Sequence, residues 1–168
     1  MSNGKGLSIL ALLLGISGLG LGVYTLVFPQ VQVVDTNFGI QNTWFNYDSG
    51  MYNTVPTATN IVIPGLTVNF TVNAGEYVYF LFNTYTVVAG GGLSSIKFNF
   101  VLDGLIKSPP DYPEVIYASN GADQYGSATL QITKAITVGF HNITISIIGS
   151  YAGNGIKDST LLVQTFIP

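Results

Sequence analysis

Leu66-Thr67-Val68-Asn69-Phe70-Thr71-Val72-Asn73 alternates apolar and polar residues without a break. A period of two sends every second side chain to the same face of an extended chain, so this stretch reads as a β-strand with one buried and one wet side. The next stretch, Glu76-Tyr77-Val78-Tyr79-Phe80-Leu81-Phe82, is a fuller hydrophobic strand opened by the turn Asn73-Ala74-Gly75. Beyond Gly90-Gly91-Gly92, residues 96–102 form another, closed by Asp103-Gly104, a strong hairpin-turn signal. Ser108-Pro109-Pro110-Asp111-Tyr112-Pro113 is a loop, because its three prolines cannot donate to a ladder.

Further strands are expected at residues 128–133, 136–138, 141–148 and 160–167, the last after a loop at Gly153-Asn154-Gly155. In the third of these, Ile143, Ile145 and Ile147 share one face. With residues 31–35 and 60–63, this makes about nine strands separated by turns. The fold class is therefore all-β, an antiparallel β-sandwich or jelly roll, with no internal repeat.

A different segment precedes it. Residues 7–28 form an uncharged run of 22 residues that a helix would stretch across the ~30 Å hydrocarbon core of a bilayer. It has no Ala-x-Ala-like cleavage step, and Pro29 would stop the helix, so a retained transmembrane helix is expected rather than a signal peptide. Lys5 lies before the run and the next positive residue after it is Lys97. The positive-inside tendency then puts residues 1–6 inside and the C-terminal domain outside, as a single-pass protein of a virion membrane or cell surface. The expected layout is an interior tail at 1–6, the helix at 7–28, a linker with the first strand or strands at 29–56, and a jelly-roll ectodomain at 57–168. Within the run, Ala11 with Gly15 and Gly18 with Gly22 have the small-xxx-small spacing that lets two membrane helices pack closely.

Composition narrows the function. Only 8% of residues are charged, against a usual ~25%, while 48% are hydrophobic, and Thr, Ser, Asn and Gly carry the polarity. Arginine is absent and net charge is −3, which excludes the basic footprint of a nucleic-acid binder. No cysteine is present, so disulfides do not staple the domain. A surface of hydroxyls and amides is little changed when carboxylates protonate below about pH 4, so the composition suits an acidic exterior.

The strand succession carries a resemblance. An opening strand is followed by "IPGLTVNFTV", "AGEYVYFLF", "IKFNFVLDG", a Pro-rich loop, "GSATLQITKAITVGFHNITISII" and a final "STLLVQTFI". Over residues 57–167 this resembles the jelly roll of the tumour necrosis factor and complement globular-head superfamily, as seen on phage and archaeal virus surface proteins. The resemblance implies a compact jelly roll that often trimerises, and it maps no ligand site. The segment 39–57 has no clear counterpart in it. The neutral, arginine-free composition is also similar to that of structural proteins of viruses of acid-loving archaea, and to filament subunits of their hosts.

Candidate sites are few. Two glycosylation sequons, Asn69-Phe70-Thr71 and Asn142-Ile143-Thr144, place each asparagine on the polar phase of its strand, facing solvent. His141 is the single histidine, expected in a turn after Gly139-Phe140. With no cysteine it makes no zinc site, and a Ser-His-Asp triad would need a serine placed against it. Asp111, Glu114, Asp123 and Asp158 lie in loops and lack the spacing of a calcium loop. Trp44, Phe45, Tyr47, Met51 and Tyr52 cluster in a segment of little periodicity, where they would close an edge of the core or offer a partner a patch.

The reading is a non-enzymatic, membrane-anchored structural protein of a virion, a minor capsid, spike or membrane-linking protein of an archaeal virus. Its expected partners are a lipid membrane, copies of itself and other capsid proteins, with no cofactor, nucleic acid or small-molecule substrate. A type IV pilin-like filament subunit, cut after Gly6, and a surface adhesin are the rival readings.

Overall fold

The computed structural model describes residues 39–55, 59–90 and 92–168. In chain order the strands are β1 (Gly39–Asp48), β2 (Tyr52–Asn53), β3 (Ile61–Val62), β4 (Val68–Val72), β5 (Tyr77–Val88), β6 (Leu93–Leu102), β7 (Leu105–Ile106), β8 (Val115–Asn120), β9 (Gln124–Ala135), β10 (Gly139–Gly149) and β11 (Gly155–Ile167). A single 3-10 turn at Pro64–Leu66 separates β3 from β4.

Two antiparallel sheets result. The first, sheet A, runs β1-β11-β5-β9, with β2 also on β11. The second, sheet B, is also four positions wide. There β3 and β4 share one flank of β10, β6 lies on its other flank, and β7 and β8 share the far side of β6. Successive strands repeatedly change sheet, which is the double Greek-key winding of a jelly roll. The expected sandwich is therefore present.

The core lies between the sheets. Phe80, Phe82, Leu130, Leu161 and Val163 come from sheet A, and Phe70, Phe98, Phe100, Ile143, Ile145 and Ile147 from sheet B, all buried. Aromatic rings cross the interface in sequence: Trp44 to Phe70 at 6.1 Å, Phe70 to Phe80 at 5.6 Å and Phe80 to Phe100 at 5.6 Å between centroids. Those spacings suit edge-on and tilted ring contacts. In β4 the expected alternation holds, with Val68, Phe70 and Val72 inward and Asn69 and Thr71 exposed.

The Asp103-Gly104 hairpin also holds. Both residues have positive φ, 52° and 76°, as a two-residue I′ turn between β6 and β7 requires. Residues 136–138, by contrast, form no strand. They make the crossing from β9 in sheet A to β10 in sheet B, a connection that cannot pair with either ladder.

The expected single-pass membrane localisation is corrected. No helix among the described residues is long and apolar enough to cross a membrane. The physical reason is the period: apolar residues here alternate along strands and turn into the sandwich, so they never build a continuous apolar helix. The run at 7–28, its spaced residues Ala11, Gly15, Gly18 and Gly22, the tail at 1–6 and the strand expected at 31–35 lie outside the described residues.

Candidate functional site

The outer face of sheet A carries continuous rows of uncharged side chains. Register aligns its outward side chains in rows across β1, β11 and β5: Ile40 with Phe166 and Tyr77, Thr43 with Gln164 and Tyr79, Phe45 with Leu162 and Leu81, Tyr47 with Thr160 and Asn83. On β9 the rows continue with Ala135, Thr133, Gln131 and Thr129. None of these sixteen side chains is charged. Ile40 is 62% exposed, Phe45 64% and Tyr47 52%. Lys157 and Asp158 lie at the end of the face, where β11 bulges, with Lys157 Nζ 5.0 Å from the Tyr85 ring centroid and the Tyr47 hydroxyl donating to Asp158 at 3.1 Å.

The aromatic cluster of β1 and β2 is thus divided by strand alternation. Trp44 and Tyr52 pack against the core, while Phe45, Tyr47 and Met51 are exposed. The core-closing role and the surface role each hold for part of it.

The outer face of sheet B differs. Asn69 of β4 lies directly opposite Asn142 of β10, so the two sequon asparagines point from the same face side by side. Asn69 is exposed and Asn142 half-buried. Thr144 is buried, its hydroxyl donating to the Ile63 carbonyl at 2.6 Å.

His141 lies within β10, not in a turn, and is only 7% exposed. It shares the inward phase of Ile143 and its ring stands 5.6 Å from that of Phe70. Its Nε2 lies 2.8 Å from the Thr137 carbonyl and its Nδ1 2.8 Å from Asp103 Oδ2. A carbonyl and a carboxylate oxygen both only accept, so both ring nitrogens must donate and the ring is an imidazolium paired with a carboxylate. Asp103 Oδ1 also accepts the Asn142 N–H at 3.0 Å.

Burial pushes His141 down, but its bonds to Asp103 and Thr137 and the Asp103 charge outweigh this and raise its pKa above 6.5. For Asp103, burial pushes upward. The bonds from His141 and Asn142 and the charges of His141 and Lys107 prevail and hold it below the usual carboxylate value. With both nitrogens occupied and no hydroxyl against either, His141 cannot serve as the base of a nucleophile. It is a clamp that ties the β6–β7 turn and the β9–β10 crossing to β10.

The acids expected in loops are dispersed, and Asp158 lies not in a loop but in β11, where the strand bulges. Asp111 pairs with Lys134 at 3.9 Å, Glu114 with Lys97 at 3.3 Å, and Asp158 with Lys157 at 4.0 Å, while Asp123 accepts the Gly90 N–H. Among the described residues no three His, Cys, Asp or Glu side chains gather where a metal could be held. An open pocket of about 400 Å³ beside Tyr112 is flanked by Lys107 and Lys134, and Asp111 shares its lining. It aligns no nucleophile with a base.

No family model matches the chain, and no curated protein matches it. Among solved structures, the chain is similar to a structure of infectious bursal disease virus, Gx strain, at 11% identity, covering 75% of this chain and 34% of that one, TM-score 0.47. The disulfide-linked pili of Bacillus endospore appendages match at 12% identity over 79% of this chain and 95% of theirs, TM-score 0.38. A carbohydrate-binding module of the CBM36 type, solved with calcium and xylotriose, matches at 8% identity over 74% and 92%, TM-score 0.37. The chain spans about a third of the length of the bursal disease virus chains it matches.

Sequence reading did not identify the uncharged outer face as a unit. Its signal was present in Tyr77-Val78-Tyr79-Phe80-Leu81-Phe82, where apolar residues fall on both phases of one strand.

Proposed function

We propose that this chain is a non-enzymatic structural subunit of a virion that works by protein–protein contact, with the outer face of sheet A as its contact surface. The observation that carries the reading is the set of uncharged rows from Ile40–Phe166–Tyr77 to Tyr47–Thr160–Asn83. Water gains little from such a surface, and burying it against another protein desolvates no charge. Interface cores are depleted of charge and rich in Tyr and Phe in the same way. Exposed Ile40, Phe45 and Tyr47 set among neutral hydroxyls and amides give this face the apolar anchors and polar surround of an interaction site.

The partner proposed is a second copy of the chain. The trimer that the resemblance to the tumour necrosis factor superfamily implies is the closed unit to look for first. A virion of an archaeal virus is the proposed setting, on the strength of the arginine-free, charge-poor composition, whose surface depends little on carboxylate ionisation. Other capsid proteins are the further partners this setting brings.

Light scattering on the purified full chain, with electron microscopy of the same sample, tests the reading. A closed oligomer or shell is the expected outcome, and loss of it on Phe45→Glu ties it to this face. A strictly monomeric chain at concentrations well above those of a virion shell would sink it. Filaments would favour the pilin-like alternative.

A further inference from the structure

We propose that Asn69 is an N-glycosylation site and that Asn142, its cross-strand neighbour, is left bare, so that sheet B is the sugar-bearing side of the subunit. The proposal rests on the surface-subunit reading only in needing passage through a compartment where asparagines are glycosylated. The two sequons are equivalent by motif, and the fold makes them unequal.

The transfer needs two groups presented together: the asparagine amide and the hydroxyl two residues on. At Asn69 both are available. Asn69 and Thr71 are exposed, and β4 hydrogen-bonds to β10 alone among the described strands, so presenting it opens a single ladder. At Asn142 the hydroxyl is not free, and the backbone that would have to present the half-buried amide is held in place. β10 is flanked by β4 on one side and β6 on the other, so extracting it breaks two ladders. The Asn142 N–H donates to Asp103 Oδ1 and the Asn142 carbonyl accepts the Asp103 N–H at 2.9 Å. The Thr144 hydroxyl is buried and committed to the Ile63 carbonyl.

Register adds a second constraint. Directly opposed residues of an antiparallel pair have Cβ atoms roughly 5 Å apart. A sugar on Asn69 therefore stands over Asn142 and blocks a second transfer.

The step itself is a group transfer from a lipid-linked oligosaccharide phosphate supplied by the host. Asn69 Nδ2 forms a bond to the anomeric carbon, the carbon–oxygen bond to the lipid phosphate breaks, and the lipid phosphate leaves with the electron pair. One Nδ2 proton passes to the transferase, and nothing is oxidised or reduced.

Peptide mapping by mass spectrometry on the full chain from its native source tests this, alongside intact mass. The expected result is a sugar increment on the Asn69 peptide and an unmodified Asn142 peptide. Asn69→Gln and Thr71→Ala should each remove the whole increment from the intact mass, while Thr71→Ser keeps it and Asn142→Gln leaves it unchanged. Sugar on Asn142, on both asparagines or on neither would overturn the proposal. Assembled particles with bare Asn69 would overturn the glycan alone, and a glycosylated monomer would overturn the assembly reading alone.

Discussion

The two outer faces of the sandwich are built from the same pleat, and both expose apolar side chains, Val62, Ile116 and Phe140 on sheet B among them. They differ in charge, since Lys97 stands beside Ile116 on sheet B. On sheet A, rows of Ile, Phe, Leu, Tyr, Thr and Gln run from β1 to β9 with no charged side chain. On sheet B, one end carries the Asn69–Asn142 pair on the outer face, with the ion pair of inward-facing His141 and Asp103 beneath it. Sheet A is joined by long ladders, with β5 matched to β9 over twelve residues and to β11 over ten. Sheet B is joined by shorter segments and relies on side chains to pin them. The lesson is that the two sheets commit their side chains differently. Outward side chains of sheet A join neighbouring strands by exposed, neutral bonds, Tyr79 to Gln131 at 2.9 Å and Thr129 to Asn83 at 2.6 Å. The short strands of sheet B are instead pinned by the buried Thr144 hydroxyl on the Ile63 carbonyl and by the His141–Asp103 pair.

The largest effect should come from crossing that division. Phe45→Glu with Leu162→Glu puts two carboxylates in one row of the sheet A face, and assembly should fall by at least about 100-fold in the concentration required, since each unpaired buried charge costs several kcal/mol. The melting temperature should move little, because Phe45 is exposed and Leu162 only half-buried. A matched charge on the other face, Ile116→Glu in β8 of sheet B, should leave assembly intact. Sedimentation velocity of the native chain and the two variants reads assembly, and thermal unfolding of the same proteins reads the melting temperature. Equal loss from both faces would break the comparison.

The second effect is on the fold and leaves the sheet A face untouched. Asn154, fully buried, accepts the Ala89 N–H at 3.0 Å and the Ser94 hydroxyl at 2.8 Å, and donates to the Ser95 carbonyl at 2.7 Å. Its side chain thus ties the end of β5 in sheet A to the start of β6 in sheet B. Asn154→Ala strands the Ala89 N–H and the Ser94 hydroxyl, while the Ser95 carbonyl keeps the Ser150 N–H at 3.0 Å, and should cost about 3 kcal/mol. Thermal unfolding should report a melting temperature lower by about 10 °C. A drop under about 2 °C would show that the ladders, not this side chain, hold that end.

The same chemistry decides what was legible in the sequence. Val68, Phe70 and Val72 alternate with polar partners because one face of β4 is wet, so the strand announces itself. In β1, Trp44 faces the core and Phe45 faces out, both apolar, and the alternation disappears. The uncharged surface that makes sheet A a contact candidate is therefore what concealed its first strand. β8 was hidden differently, since Val115–Asn120 follows a loop with three prolines. His141 stands two residues before Ile143, so its inward phase was readable, but Gly139-Phe140 suggested a turn. The pairing of Asn69 with Asn142 was not readable at all, because the register of strands 73 residues apart in sequence depends on the whole fold.

The smallest effect sharpens the comparison through pH. His141 has a raised pKa, so its contribution is complete below its unfolded value, about 6.5, and fades as pH rises through the folded value. Asp103 has a lowered pKa, so its contribution is complete above about 3.9 and fades as pH falls through the folded value. The clamp is therefore fully engaged between about pH 4 and 6.5. Lys107 supports the Asp103 carboxylate from the same side, and the Tyr112 hydroxyl nearby is pushed up, first by burial and then by the Asp103 and Asp111 charges. Asp103 is 43% exposed, so solvent screening keeps the pair to about 1 kcal/mol. His141→Gln should lower stability in urea by that amount at pH 5.5 and by less as pH is raised to 9, because the contribution of a raised pKa fades upward from about 6.5. Assembly through sheet A should be the same in variant and native chain at either pH. A stability difference that grew from pH 5.5 to pH 9 would mean that the folded pair binds fewer protons than the unfolded chain, so that the ring is held neutral beside the carboxylate rather than charged.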